Sequence, residues 1–138
     1  MDDNFYDDRE AVTADPTKPG HAYVAWVRWL GTFGESGREM FARTTDGGRS
    51  WSAPRPITDP KPGTPPDPTL IQVLPDGTLL NLYLEANLTP FLPESVPRVP
   101  WVVWASRSTD GGATWSAPVE IGQIASPGAP RTPTADPR

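Results

Sequence analysis

Glu85 and Glu94 flank one stretch of chain, residues 87–99. Two carboxylates held roughly 5–9 Å apart across a bond are what acid–base cleavage of a glycoside requires. Tyr83 becomes a nucleophile only with a carboxylate base beside it, and a tyrosine in a strand core accounts for the same residue. Lysine occurs only at Lys18 and Lys61, so the cationic side chains are almost all arginine, whose fork binds carboxylates in two places at once. Arg98, beside Trp101, and Arg9, in Asp7-Asp8-Arg9-Glu10, are the arginines placed to hold an acidic ligand; a solvated loop arginine and a surface ion pair are the plainer readings. Trp26, Trp29, Trp101 and Trp104 offer flat rings for stacking a sugar, or core packing from strand positions. Arg9, Glu85, Arg98 and Trp101 are therefore the substrate-binding candidates, and no residue is assigned as catalytic. His21 is the sole histidine and there is no cysteine, while the acidic start at Asp2, Asp3, Asp7 and Asp8 lacks the glycine and spaced glutamate of a calcium loop. No metal or cofactor is implied.

Two further aspartates belong to a phrase that the chain writes twice. Arg43-Thr44-Thr45-Asp46-Gly47-Gly48-Arg49-Ser50-Trp51-Ser52-Ala53-Pro54 returns 64 residues later, beginning at Arg107, as Arg-Ser-Thr-Asp-Gly-Gly-Ala-Thr-Trp-Ser-Ala-Pro. A copied phrase at fixed spacing marks a repeat architecture. Each copy reads as a hairpin turn with a lock: Gly-Gly permits positive φ, the Asp side chain accepts from amides just beyond it, and Ser/Thr hydroxyls join that network. The tryptophan of each copy, Trp51 or Trp115, opens the returning strand and can cover the turn. Asp46 and Asp110 thus read as turn residues rather than as acids, because hairpin chemistry uses them fully.

The pattern Ser/Thr-x-Asp-x-Gly-x-Ser/Thr-Trp resembles the Asp-box, or BNR repeat, of the sialidase-like β-propellers. It is carried here by Thr44, Asp46, Gly48, Ser50 and Trp51, and again by Ser108, Asp110, Gly112, Thr114 and Trp115. The resemblance implies antiparallel four-stranded blades, with the boxes on the face away from any catalytic pocket. In that family an arginine triad binds the substrate carboxylate, and a Tyr/Glu pair and an Asp perform the chemistry. The segment 68–80 looks like the stretch after the family's first arginine, but Pro66 stands in that arginine's place, and Asn87 stands where a second arginine often follows a glutamate. Electrostatic capture of a carboxylate needs those forks, so hydrolysis by this chain alone is not expected.

The elements that would position these residues are short strands. Residues 10–15, 21–30, 38–44 and 50–57 form one expected set, and 69–74, 78–85, 100–107 and 114–121 a second. The 19 prolines punctuate them. The expected organisation is an acidic arm over 1–8, a first blade over 9–57, a Pro/Gly linker over 58–66, a second blade over 67–121 and a flexible tail over 122–138. Two blades cannot close a ring of about four to eight. The chain is then part of a longer propeller, assembles a ring from copies (three would give six blades), or packs as a small sandwich; the first is favoured. A net charge of −5 disfavours nucleic acid and anionic membranes. No secretory leader and no apolar run of membrane-spanning length is expected. The function expected is recognition of, or action on, a glycan ligand; the other reading is a non-catalytic scaffold that presents loop 87–99 to a protein or glycan.

Overall fold

The computed structural model describes residues 5–30, 36–59, 66–85 and 100–124. Arg98, Glu94 and the loop 87–99 that holds them lie outside the described residues, as does most of the expected tail. Among the described residues eight strands form two antiparallel sheets, and there is no helix. The first sheet has β1 (Phe5–Ala14), β2 (Ala22–Leu30), β3 (Ser36–Thr44) and β4 (Arg55–Pro56) in chain order. The second has β5 (Pro66–Val73), β6 (Leu79–Glu85), β7 (Trp101–Ser108) and β8 (Val119–Ile124), also in chain order. No helix of the described residues is long and apolar enough to cross a membrane.

Four strands begin three or more residues from the expected start: β1, and β5 at Pro66 rather than residue 69, begin early, and β4 and β8 begin late. β1 begins at Phe5 and takes in Asp7 and Asp8 of the expected arm. Its charges are matched across the ladder: Asp7 pairs in register with Arg28, which donates to it from Nε and Nη2 at 2.8 Å each. The two returning strands start late, at Arg55 and Val119. Each stretch after the copied turn makes one backbone bond, Ser52 N to Arg43 O at 2.9 Å or Ser116 N to Arg107 O at 2.8 Å, while the return bond goes to a side chain: Arg43 N–H donates to Ser52 Oγ at 3.1 Å and Arg107 N–H to Ser116 Oγ at 3.0 Å. Pro54 and Pro118, which lack an N–H, then delay the ladder further.

Alternation along β2 and β3 puts Tyr23, Ala25, Val27, Glu39, Phe41 and Arg43 on one face of the first sheet. That face packs on the face of the second sheet that carries Ile71, Leu79, Asn81 and Tyr83. Tyr23 and Phe41 stack with centroids 6.0 Å apart, and Trp115 meets Phe41 edge-on at 5.5 Å. Burying such aromatic side chains contributes about 1.5–3 kcal/mol each. Thr13 Oγ1 also crosses between the sheets, donating to Ile71 O at 2.7 Å.

The sheets pack front to back. In register, Tyr23 stands opposite Arg43 as Leu80 stands opposite Arg107. Phe41 of the first sheet therefore corresponds to Ala105 of the second, and Ala42 to Ser106. The front of the first sheet contacts the back of the second, a heterologous arrangement that leaves one further front and one further back.

Candidate functional site

The two copied turns hold themselves. Asp46 Oδ1 accepts from Thr44 Oγ1 at 2.8 Å and from Ser50 N at 3.0 Å, while Oδ2 accepts from Ser50 Oγ at 2.6 Å. Thr44 Oγ1 in turn accepts from Gly48 N at 3.0 Å. Asp110 repeats this with Ser108 Oγ at 2.7 Å, Thr114 N at 2.9 Å and Thr114 Oγ1 at 2.6 Å, and Ser108 Oγ accepts from Gly112 N at 2.8 Å. Gly48 and Gly112 take φ of +88° and +86°, where a side chain is strained. The Ser50 hydroxyl and amide, with the Thr44 hydroxyl, hold the Asp46 carboxyl down to about 2; the equivalent donors hold Asp110 lower still. A carboxylate so fully committed stays ionised and has no proton to give at neutral pH. The two tryptophans differ: Trp115 packs on Phe41, whereas Trp51 is 43% exposed.

Arg43 grips the second turn. Its Nη1 donates to Asp110 O at 3.2 Å and Gly111 O at 2.6 Å, and Gly112 lies so close to Phe41 that an added Cβ would stand 2.3 Å from its ring. The second turn therefore positions the two sheets.

The other end of the sheets gathers the binding candidates. Arg9 lies inside β1, at a register shift between Asp8 and Ala11, with φ of +61°. Its guanidinium pairs with Asp8 at 3.6 Å and closely with Asp67 on β5. Pro66, beside Asp67, is the register partner of Glu85. Glu85, half-buried at the end of β6, accepts from Trp104 Nε1 at 2.9 Å. Arg9 and Glu85 therefore share one end of the molecule. Trp101 begins β7 at that end, but alternation turns it to the opposite face from Trp104 and Glu85. The structure thus places Glu85 with Trp104, and Trp101 apart from both.

The same end carries groups that the sequence reading passed over. Phe5 and Tyr6 are 45% and 50% exposed; Tyr6 stacks on Trp29 with centroids 6.1 Å apart, and the Arg28 guanidinium lies 4.3 Å over the Phe5 ring. Exposed flat rings beside polar groups suit the apolar face of a sugar. The signal was the alternation Phe5, Asp7 against Tyr6, Asp8, hidden by the run of acids.

A third polar group lies between the sheets. Glu39 is fully buried and accepts from Asn81 Nδ2 at 2.8 Å through Oε2. Among the described residues, Glu39 Oε1, Asn81 Oδ1 and Ser106 Oγ have no hydrogen-bond partner. Burial pushes the Glu39 carboxyl up to about 8 against the smaller opposing effect of Asn81, so it is neutral at pH 7. Tyr83 stays protonated: burial first, then the nearby Glu39 and Glu85 carboxyls, raise its pKa. A phenol in that state is not an activated nucleophile. Among the described residues no group of three or more histidines, cysteines or carboxylates could hold a metal ion.

No family model matches this sequence, and no curated protein matches it. Solved structures do. A protein of unknown function from Dyadobacter fermentans DSM 18053 matches 84% of this chain and 36% of its own, with 20% identity and a TM-score of 0.60. The Hadza microbial sialidase Hz136 matches 88% of this chain and 26% of its own, with 20% identity and a TM-score of 0.61. The chain thus spans only about a third and a quarter of these two proteins. At this identity the likeness is one of fold: the two antiparallel sheets follow the course of part of a sialidase.

Proposed function

We propose that this chain forms two adjoining blades of a sialidase-like β-propeller, and that it recognises glycans without hydrolysing them by itself. The observation that carries the reading is the likeness in fold to a sialidase over 88% of the chain. Two sheets packed front to back, each with a self-locked Asp-Gly-Gly turn at the same end, support the blade reading. The ligand end is the opposite one, which Arg9, Glu85 and the exposed Phe5 and Tyr6 rings share, with Trp101 as a further candidate; Arg98, also a candidate, lies outside the described residues. Arg9 is already balanced by Asp67, which disfavours its capture of a substrate carboxylate and so turnover. A non-catalytic scaffold for a protein partner is the second reading, favoured by the exposed Val119, Ile121 and Ile124 on β8.

The test is a glycan-array and calorimetric screen of the chain beside a fluorogenic sialoside assay. Glycan binding that is lost in Tyr6→Ala, with no turnover, is the expected result. Turnover by the chain would overturn the non-catalytic reading. Absence of any glycan bound would overturn the glycan reading and leave the scaffold.

A further inference from the structure

The contact that joins the two sheets has an exposed counterpart of each half on the same chain. Inside the molecule, Arg43 donates to the carbonyls of Asp110 and Gly111, Phe41 packs on Gly112, and the remaining gap, bordered also by Ser52, Arg55 and Ala113, is only about 40 Å³. On the second sheet the same positions are Arg107, Ala105, Ser116 and Val119. With Leu80 and Ile121 they border a hollow of about 510 Å³. Val119 and Ile121 are 66% and 59% exposed, and among the described residues the Arg107 guanidinium makes no hydrogen bond. The first turn is equally open: an added Cβ at Gly47 or Gly48 would meet nothing within 4 Å, where Gly111 and Gly112 are pressed against Arg43 and Phe41.

We propose that the Arg107 hollow is a docking site for the Asp46-Gly47-Gly48 turn of a second copy of this chain, with Arg107 donating to the Asp46 and Gly47 carbonyls as Arg43 does to Asp110 and Gly111. This rests on the reading that the sheets are units that pack front to back. The sizes compensate. Phe41 and the small Ala113 border one narrow gap inside the molecule; between copies the small Ala105 would face Arg49, whose longer side chain would enter the larger hollow. The charges do not compensate, because Arg49 and Arg107 are both cationic. Association is therefore weaker than the internal contact, and it is limited by this one pair. A front-to-back contact between copies is heterologous and continues into a ring or an open chain.

The experiment is analytical ultracentrifugation of the whole chain over a concentration series, with Arg107→Ala and Arg49→Ala. The expected result is a reversible rise in mass in multiples of 15.0 kDa. Arg107→Ala weakens the association about tenfold or more, as loss of a central interface arginine does. Arg49→Ala, which gives the first turn the alanine of the second, tightens it, and a misfolded variant would not do so. Unfolding midpoints of both variants equal to wild type confirm intact monomers. A single 15.0 kDa species at every concentration, or association indifferent to both substitutions, overturns the proposal. Sedimentation does not depend on glycan binding, so failure here leaves the glycan reading standing, and a failed glycan screen leaves this contact standing.

Discussion

Replacing Glu39 by glutamine stabilises this protein at pH 8 and leaves it nearly unchanged at pH 5. The folded carboxyl sits at about 8 and the free side chain at 4.5, because burial between the sheets disfavours its charge. Below pH 4.5 folded and unfolded chains both hold the proton, and burial of Glu39 carries no ionic penalty. Between pH 4.5 and about 8 the unfolded chain releases the proton and the folded chain keeps it. Stability falls by about 1.4 kcal/mol per pH unit over that window, a total on the order of 5 kcal/mol, and levels off above it. That is a large share of a typical domain's roughly 5–15 kcal/mol. In Glu39→Gln the Oε1 atom accepts from Asn81 Nδ2, and the new Nε2–H group can serve Asn81 Oδ1, which has no partner among the described residues. Urea unfolding followed by tryptophan fluorescence at pH 5, 6, 7 and 8 reads both effects. The carboxylates held below their usual range at Asp7, Asp15, Asp46, Asp76 and Asp110 titrate at lower pH and leave the window clear. Wild-type stability that is flat or rising from pH 5 to 8, or a glutamine variant less stable than wild type at pH 8, refutes the reasoning.

Three other outcomes follow from the same geometry. Gly48→Ala meets only the strain of a left-handed φ, about 1–2 kcal/mol, whereas Gly112→Ala adds a clash with Phe41 of about 1–3 kcal/mol more, so its melting point falls further. In an NMR titration the Ser50 amide moves with a midpoint near 2, and the stability that the Asp46 lock supplies, fully present above pH 3.8, is lost as pH falls through that midpoint; a midpoint near 3.8 means the lock is not formed in solution. Asp67→Ala removes the nearer of Arg9's two carboxylate partners, leaving Asp8 at 3.6 Å, and raises affinity for an acidic sugar roughly tenfold, the worth of one charge-assisted hydrogen bond, in calorimetry; unchanged affinity removes Arg9 from the ligand end.

Much of the fold was legible because its signals are local. The aromatic and β-branched run of residues 21–30 becomes β2, and the Asp-Gly-Gly phrase gives two turns whose hydrogen bonds close within four residues. What was missed depends on partners distant in sequence. Phe5–Ala14 forms a strand because Arg28 answers Asp7 from across the ladder, and an acidic run read alone suggests a solvated arm. Glu39 follows Arg38 in an ordinary alternating strand, and only the facing of one sheet by the other buries it against Asn81, 42 residues away. Glu85 and Trp101 are near neighbours in register, yet their opposite faces follow from strand alternation once β6 and β7 are aligned. Ser52 and Ser116 shorten β4 and β8 by bonding the arginine amides, a substitution that strand propensity does not reveal.

The two self-locked turns mark one end of the sheets, and the proposed ligand end is the opposite one. Backbone amide shifts during titration with a sialylated oligosaccharide test that division most directly. Changes confined to Phe5, Tyr6, Arg9, Glu85, Trp101 and Trp104, with the turns at Asp46 and Asp110 unmoved, are the predicted result. Changes centred on those two turns would contradict it and place the glycan on the end assigned here to structure.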